Sequence, residues 1–308
     1  MKLVAVVAAT LGALTAACAS SDETPRDEDG TSSGTTSSAV GAGGTSSSAA
    51  TGGDASSSIG GGGAAGSAAG GGGQGGCTEP TNANWTCLPR DEGPLYGTGS
   101  AIVHVVVQET TQAMKIPGAT VKVCALDDPA CSTPLDEGVT DAIGEAAVDV
   151  PREVSVFFDV TADSYVPLLT FPWDPPPQND NEVALLGMMT TPQQLATFAA
   201  LAGTTPDPAR GHLSVSAFDC SAANAPGVTV EVSTADANTV TGYWDSGVPK
   251  PNLPATVSGG AIIGNVPAGS ATVHGTVLPL CNEPMGAAPV HVRAGTISVV
   301  ELFPSPTR

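Results

Sequence analysis

Apolar and polar side chains take turns along much of this chain. Residues 100–107 read SAIVHVVV, 118–125 GATVKVCA and 145–150 EAAVDV. A period of two puts every second side chain on one face, which predicts half-buried β-strands. EVSVFFDVTA (153–162), YVPLLTF (165–171) and NEVALLGM (181–188) continue the series, with Gly, Pro and Asp between the runs. Turn signals at a spacing of about ten residues predict an antiparallel β-sandwich. The one helical signal is TTPQQLATFAALAG (190–203). Thr191 suits the N-cap, Pro192 the first helical position, Gln194 the capping box and Gly203 the stop. Its apolar face, Leu195, Phe198, Ala199 and Ala202, has helix spacing and suits a connector packed against the strands, or alternatively an element that docks a partner.

The strand order then returns. GHLSVSAFDC (211–220) matches the first strand, PGVTVEVSTA (226–235) matches PGATVKVCAL, and TVSGGAIIGNV (256–266) matches VTDAIGEAAVDV (139–150). Two copies of one unit follow each other. The second closes with VPAGSATVHGTV and VHVRAGTISVVELF, which again alternate.

Pro117-Gly118-Ala119-x-Val121, then Thr140-Asp141-x-x-Gly144, then Val160-x-Ala162-x-x-Tyr165-Val166-Pro167 resembles the carboxypeptidase regulatory-like domain of the transthyretin-like (prealbumin-like) superfamily. In the second copy Pro226-Gly227-Val228-x-Val230 fits. There Ser258-Gly259-Gly260 replaces the Thr-Asp-x-x-Gly turn, and the late Ala-x-x-Tyr-Val element is missing. The resemblance implies a mainly β chain of two tandem seven-stranded Greek-key sandwiches, used as structural or adhesive accessory domains.

Thr-Asp-x-x-Gly between two strands is read as a turn. Asp141 can accept a hydrogen bond from a backbone N–H two residues on, and Gly144 can take φ > 0. Catalysis there would need a base or a second carboxylate, for which the sequence offers no motif.

The N-terminal quarter has no such periodicity. MKLVAVVAATLGALTAA (1–17) has one Lys, an apolar run and small residues before Cys18, the layout of a secretory signal. LTAAC resembles the lipobox of bacterial lipoproteins, with Thr15 where the family's pattern has Leu. That resemblance implies acylation of Cys18; a plain secretory signal cut after Ala17 or Ala19 is the alternative. Residues 19–76 are almost wholly Ser, Gly, Ala and Thr after an acidic start, and cannot repay the entropy of ordering. Such a coil spans on the order of 40 Å and acts as a tether. GGGAAG within it matches G-x-G-x-x-G only formally, because neither strand nor helix flanks it.

The expected layout is a signal peptide (1–17), lipid anchor and linker (18–76), a disulfide-stapled leading segment (77–98), a first sandwich (99–190), a connecting helix (191–208) and a second sandwich (209–308). With Cys18 assigned to lipid, six cysteines remain, and an exported chain pairs them. Sequence proximity favours Cys77 with Cys87, Cys124 with Cys131, and Cys220 with Cys281. Zinc is disfavoured, since no C-x-x-C occurs and no His lies at ligand spacing from a Cys.

From Cys77 onward 24 acidic residues face eight basic ones, which repels phosphate backbones and excludes nucleic acid as a favoured partner. His104, His212, His274 and His291 sit in or beside predicted strands and are expected to be exposed. None begins H-x-x-E or H-E-x-x-H, so the "regulatory-like" resemblance carries no peptidase zinc site with it. G-x-S-x-G and P-loop motifs do not occur, and no cofactor is called for. Two loops offer binding chemistry. In ALDDPACSTPLDEG, Asp127, Asp128, Asp136 and Glu137 are hard oxygen ligands for Ca²⁺ if a Cys124–Cys131 bridge gathers them. In FPWDPPPQND, Trp173 between prolines offers a stacking surface for a sugar or a proline-rich peptide. The expectation is a non-catalytic envelope lipoprotein, held at the membrane by its lipid and serving a structural or binding role toward an envelope protein or glycan. Ala19 after the acylated Cys implies the outer membrane, on a periplasmic or surface face. The alternatives are a carbohydrate- or peptidoglycan-binding accessory protein and an enzyme of unrecognised type.

Overall fold

The computed structural model describes residues 83–88, 98–172 and 182–304. The expectations for the signal, the linker, Cys18, Cys77 and Trp173 lie outside the described residues.

Seven strands precede the helix: β1 (Ser100–Glu109), β2 (Thr120–Ala125), β3 (Asp136–Val139), β4 (Glu145–Pro151), β5 (Val156–Thr161), β6 (Leu168–Phe171) and β7 (Glu182–Met189). The helix α1 (Pro192–Leu201) follows. Thr191 caps it, accepting from Gln194 N, and the Gln194 side chain closes the capping box, so the local signal in the sequence is read out in full. Eight strands come after: β8 (Gly211–Ala217), β9 (Val228–Val232), β10 (Val240–Asp245), β11 (Val248–Lys250), β12 (Gly260–Val266), β13 (Gly269–Val277), β14 (Glu283–Val292) and β15 (Ile297–Leu302). The protein is mainly β and sandwich-like, as the alternation predicts.

Three sheets form: β4-β1-β7, β14-β13-β9, and a nine-stranded sheet in the order β11-β10-β12-β8-β15-β6-β5-β2-β3. Within each half the pairing has one plan. β8 lies between β12 and β15 as β1 lies between β4 and β7, and β13 lies between β9 and β14 as β5 lies between β2 and β6. The pairing is not antiparallel throughout. β1 with β7, β8 with β15 and β6 with β15 run parallel. β7 and β15 each reach their position by crossing from the opposite sheet, and a crossover, unlike a hairpin, can deliver a parallel strand.

Val103, Val105 and Val107 of β1 meet Val121, Val148, Phe158 and Leu168 in one buried cluster. Leu213, Val230, Ile263, Val290 and Leu302 form the heart of another. That second interior is not closed by the later strands alone. It takes in Phe157, Leu169 and Phe171, from the opposite faces of β5 and β6 to those that bury Phe158 and Leu168. Strands buried on both faces lose the period of two and read as continuous apolar runs, as VFF, LLTF and GAIIGNV do here.

Glu301 of β15 stands opposite Ser216 of β8, is 7% exposed, and burial pushes its carboxyl up to about 7. The folded chain therefore holds a proton that the unfolded chain has already released between its ordinary value of 4.5 and about 7. Stability falls as pH rises through that window. Glu301→Gln is expected to flatten this dependence and to raise stability above neutrality by about 3 kcal/mol. Urea denaturation of both proteins at about pH 5 and about pH 8 checks it.

Candidate functional site

The Thr140–Gly144 loop joins β3 to β4 and is tied down by its own polar atoms. Asp141 Oδ1 accepts from Ile143 N at 2.9 Å and Glu145 N at 3.0 Å. Gly144 N donates to Asp141 O at 3.0 Å. The Thr140 hydroxyl donates to Ile116 O at 2.7 Å and accepts from Ala119 N at 2.8 Å, locking this loop to the Pro117-Gly118 turn before β2. Gly144 has φ 75°, and a Cβ there would lie 2.8 Å from Val107 O. Both hydrogen bonds accepted by the Asp141 side chain come from backbone N–H groups, which is turn chemistry.

The same knot recurs in the second half, at residues the sequence comparison aligned differently. Thr256 donates to Ala225 O at 2.7 Å and accepts from Val228 N at 2.9 Å. Gly259, φ 79°, approaches Ala217 O as Gly144 approaches Val107 O. The counterpart of Thr140-Asp-x-x-Gly144 is Thr256-x-x-Gly259, one residue shorter and without the acid. Thr followed by Gly, together with the upstream Pro-Gly, was the signal that could have located it.

The disulfides correct two expected pairings. Cys124–Cys131 forms, with Cα atoms 5.2 Å apart. Cys87 joins Cys220 across 133 residues, with Cα atoms 5.7 Å apart, so neither Cys77–Cys87 nor Cys220–Cys281 exists. Cys281 is disulfide-bonded too. The reason is docking of the leading segment: Trp85 is buried in the later cluster, Asn84 N donates to Asp219 Oδ2, and Cys220 N donates to Asn84 O. Packing of Trp85 brings Cys87 to Cys220, and closeness in sequence does not decide.

The acidic loop is placed differently from a cation site. Asp128 accepts from Thr133 N, which holds its carboxyl below the usual range. Asp136 accepts from Asp149 N at 2.6 Å, and Glu137 faces Lys122 at 3.8 Å. The grouping close enough to hold a metal among the described residues is Cys124, Cys131 and Asp159, and its two sulfurs are bonded to each other. Asp127, Asp128, Asp136 and Glu137 are not brought together in such a group.

What the disulfide loop does hold is a junction between the halves. His291 Nε2 donates to Leu126 O at 2.6 Å, Arg293 Nε donates to Pro129 O at 2.9 Å, and Arg293 Nη1 donates to Asp159 Oδ2 at 2.5 Å. Phe157 and Phe171 stack at 5.3 Å, and the His291 ring stands edge-on to both. Sequence reasoning missed these residues, and it expected exposed histidines. His212 and His291 are instead buried, His104 is half-buried against Glu145 at 2.7 Å, and His274 is exposed. A groove of about 620 Å³ lies elsewhere, along Lys115, Pro117, Gly118, Thr161, Asp163 and Tyr165. No helix among the described residues is long and apolar enough to cross a membrane.

No protein-family model matches the chain, and no curated protein matches it. Solved structures with some likeness include the Bacillus anthracis TIE protein, with 13% identity, a TM-score of 0.24, and coverage of 66% of this chain and 33% of that one. This chain therefore spans a third of that protein's length. They also include the shaft pilin spaA of Lactobacillus rhamnosus GG, with 10% identity, a TM-score of 0.23, and coverage of 68% and 98%. A third is the minor pilin GBS52 of Streptococcus agalactiae, with 13% identity, a TM-score of 0.18, and coverage of 68% and 98%. Likeness of this degree assigns neither a family nor an activity.

Gly118 and Gly144 share φ 75°, but a Cβ on Gly118 meets nothing within 4 Å. Gly118→Ala therefore isolates the left-handed backbone term, about 1 kcal/mol. Gly144→Ala adds the clash with Val107 O and is expected to cost at least about 2 kcal/mol more. Paired denaturant unfolding measures both; equal losses would mean that the close approach carries no energy.

Proposed function

We propose that the chain is an exported, non-catalytic lipoprotein that presents a rigid β-structure at the cell envelope. In this reading Cys18 carries the lipid, residues 19–76 form the tether, and two transthyretin-like units joined by α1 make the displayed body. The observation that supports it best is the way the body is joined. One sheet continues across both halves through β6 and β15, Arg293 and His291 bind the disulfide loop across the same junction, and Cys87–Cys220 fastens the leading segment to the second half. Three kinds of bond then resist bending at one place, which suits a spacer or adhesive stalk that has to keep its shape.

A second reading is recognition of an envelope glycan. The groove beside Tyr165 favours it, because an aromatic ring beside Lys115 and Asp163 combines a stacking face with polar partners for hydroxyl groups.

Palmitate labelling of cells expressing the protein tests the anchor. Label is expected on the wild type and lost in Cys18→Ala, and an unlabelled wild type sinks the lipoprotein reading. A glycan array separates the two roles: retention on peptidoglycan fragments that is lost in Tyr165→Ala favours recognition, and no retention leaves the structural role.

A further inference from the structure

Helix α1 lies over the outer face of the nine-stranded sheet, and the two do not meet completely. Leu195 and Phe198 point down from the helix, and Phe198 stands edge-on to Trp244 of β10, with ring centroids 5.5 Å apart. Beneath them is a cavity with about 40 Å³ open to the centres of water molecules, room for on the order of three waters. Its apolar walls include Leu195, Phe198, Ile262 and Val299, and its polar lining includes His212, Ser214, Ser216 and Trp244.

Two features of the lining point to a ligand. Trp244 is 2% exposed, and its indole Nε1–H is buried without a partner among the described residues, although buried donors are ordinarily satisfied. Serine hydroxyls also face this space from the strand beside it, where a sheet surface covered by an amphipathic helix would ordinarily be apolar. The lining contains no Asp, Glu, Lys or Arg, and burial lowers the His212 imidazole, favouring its neutral form. An ion would lie there without a counter-charge, which the cavity does not favour.

We propose that this cavity binds a small uncharged molecule of about four heavy atoms, a short ketone or alcohol, whose oxygen accepts from Trp244 Nε1 and whose alkyl part lies against Leu195, Phe198 and Val299. The site does not depend on lipid anchoring or on the glycan reading.

Acetone is a fitting probe, having one acceptor and two methyl groups. Titration of the full chain, read through the indole N–H resonances of its three tryptophans, should move the Trp244 signal saturably and leave the other two in place. Ser214→Leu fills the cavity and should weaken acetone binding at least about tenfold, while Leu195→Ala enlarges it and should let cyclohexanone bind at least about tenfold tighter than it binds the wild type. If Ser214→Leu does not fold, the Leu195→Ala comparison decides alone. Non-saturating shifts shared by all three indoles, unchanged affinity in the filled variant, or no cyclohexanone gain in the enlarged one would each overturn the proposal, as would a crystal grown with acetone that holds only water in the cavity.

Discussion

Four residues of β15, Ile297 to Val300, pair in parallel with Leu168 to Phe171 of β6, and the rest of the architecture follows from this seam. It turns what would be two sheets, one from each half, into a single sheet of nine strands. Strands that would have kept one wet face become interior strands. β5 and β6 then bury Val156, Phe157, Phe158, Leu168, Leu169 and Phe171 in succession. The free edges move out to β3 and β11, of four and three residues. β11 carries Pro249 at its centre, and short edges broken by proline are poor templates for further strand addition.

Burying both faces of a sheet creates a demand for internal polar partners, and the junction meets it only in part. His291 donates to Leu126 O, and its own carbonyl accepts from Ser298 Oγ. Arg293 and Asp159 form a close pair, but Asp159 Oδ1 and Arg293 Nη2 are buried without partners. A buried ion pair with unsatisfied atoms contributes little net stability over a well-packed apolar contact. Its value lies in orientation. The guanidinium fixes the disulfide loop, β5 and the end of β14 in one arrangement, because each displacement would strand a buried charge. Cys124–Cys131 supports this by holding Leu126 and Pro129 in a closed loop, so that their carbonyls stand ready for His291 and Arg293.

Legibility in the sequence followed burial. Strands with one wet face, such as β1 and β4, alternate and could be placed to within two residues. The helix was legible to its cap, because capping is a contract between Thr191 and Gln194 three residues apart. β3, reading DEGV, was invisible, since its pairing with β2 and not its own composition makes it a strand. β10 and β11 escaped for the same reason, their glycine and tryptophan serving the space under α1. The long-range facts, the seam, the Cys87–Cys220 bridge and the junction at Arg293, leave no local trace. They depend on which apolar faces meet, and Trp85 shows the scale of the difficulty: one buried ring more than 130 residues away in sequence chose the partner of Cys220.

The two threonine knots show which part of a turn motif geometry demands and which part loop length demands. Thr140 and Thr256 make the same two bonds, to a carbonyl before the Pro-Gly turn and from an N–H after it. Gly144 and Gly259 make the same close approach to the first strand of their half. These features close the sandwich end and are present in both copies. Asp141 is present in one. Its longer loop carries Ile143 N and Glu145 N, which the carboxylate accepts, whereas Thr256-x-x-Gly259 is shorter by a residue and passes directly from threonine to glycine. The acid therefore answers the inserted residue, and the threonine and glycine answer the fold. A search pattern built on Thr-Asp-x-x-Gly finds the first copy and overlooks the second for this physical reason.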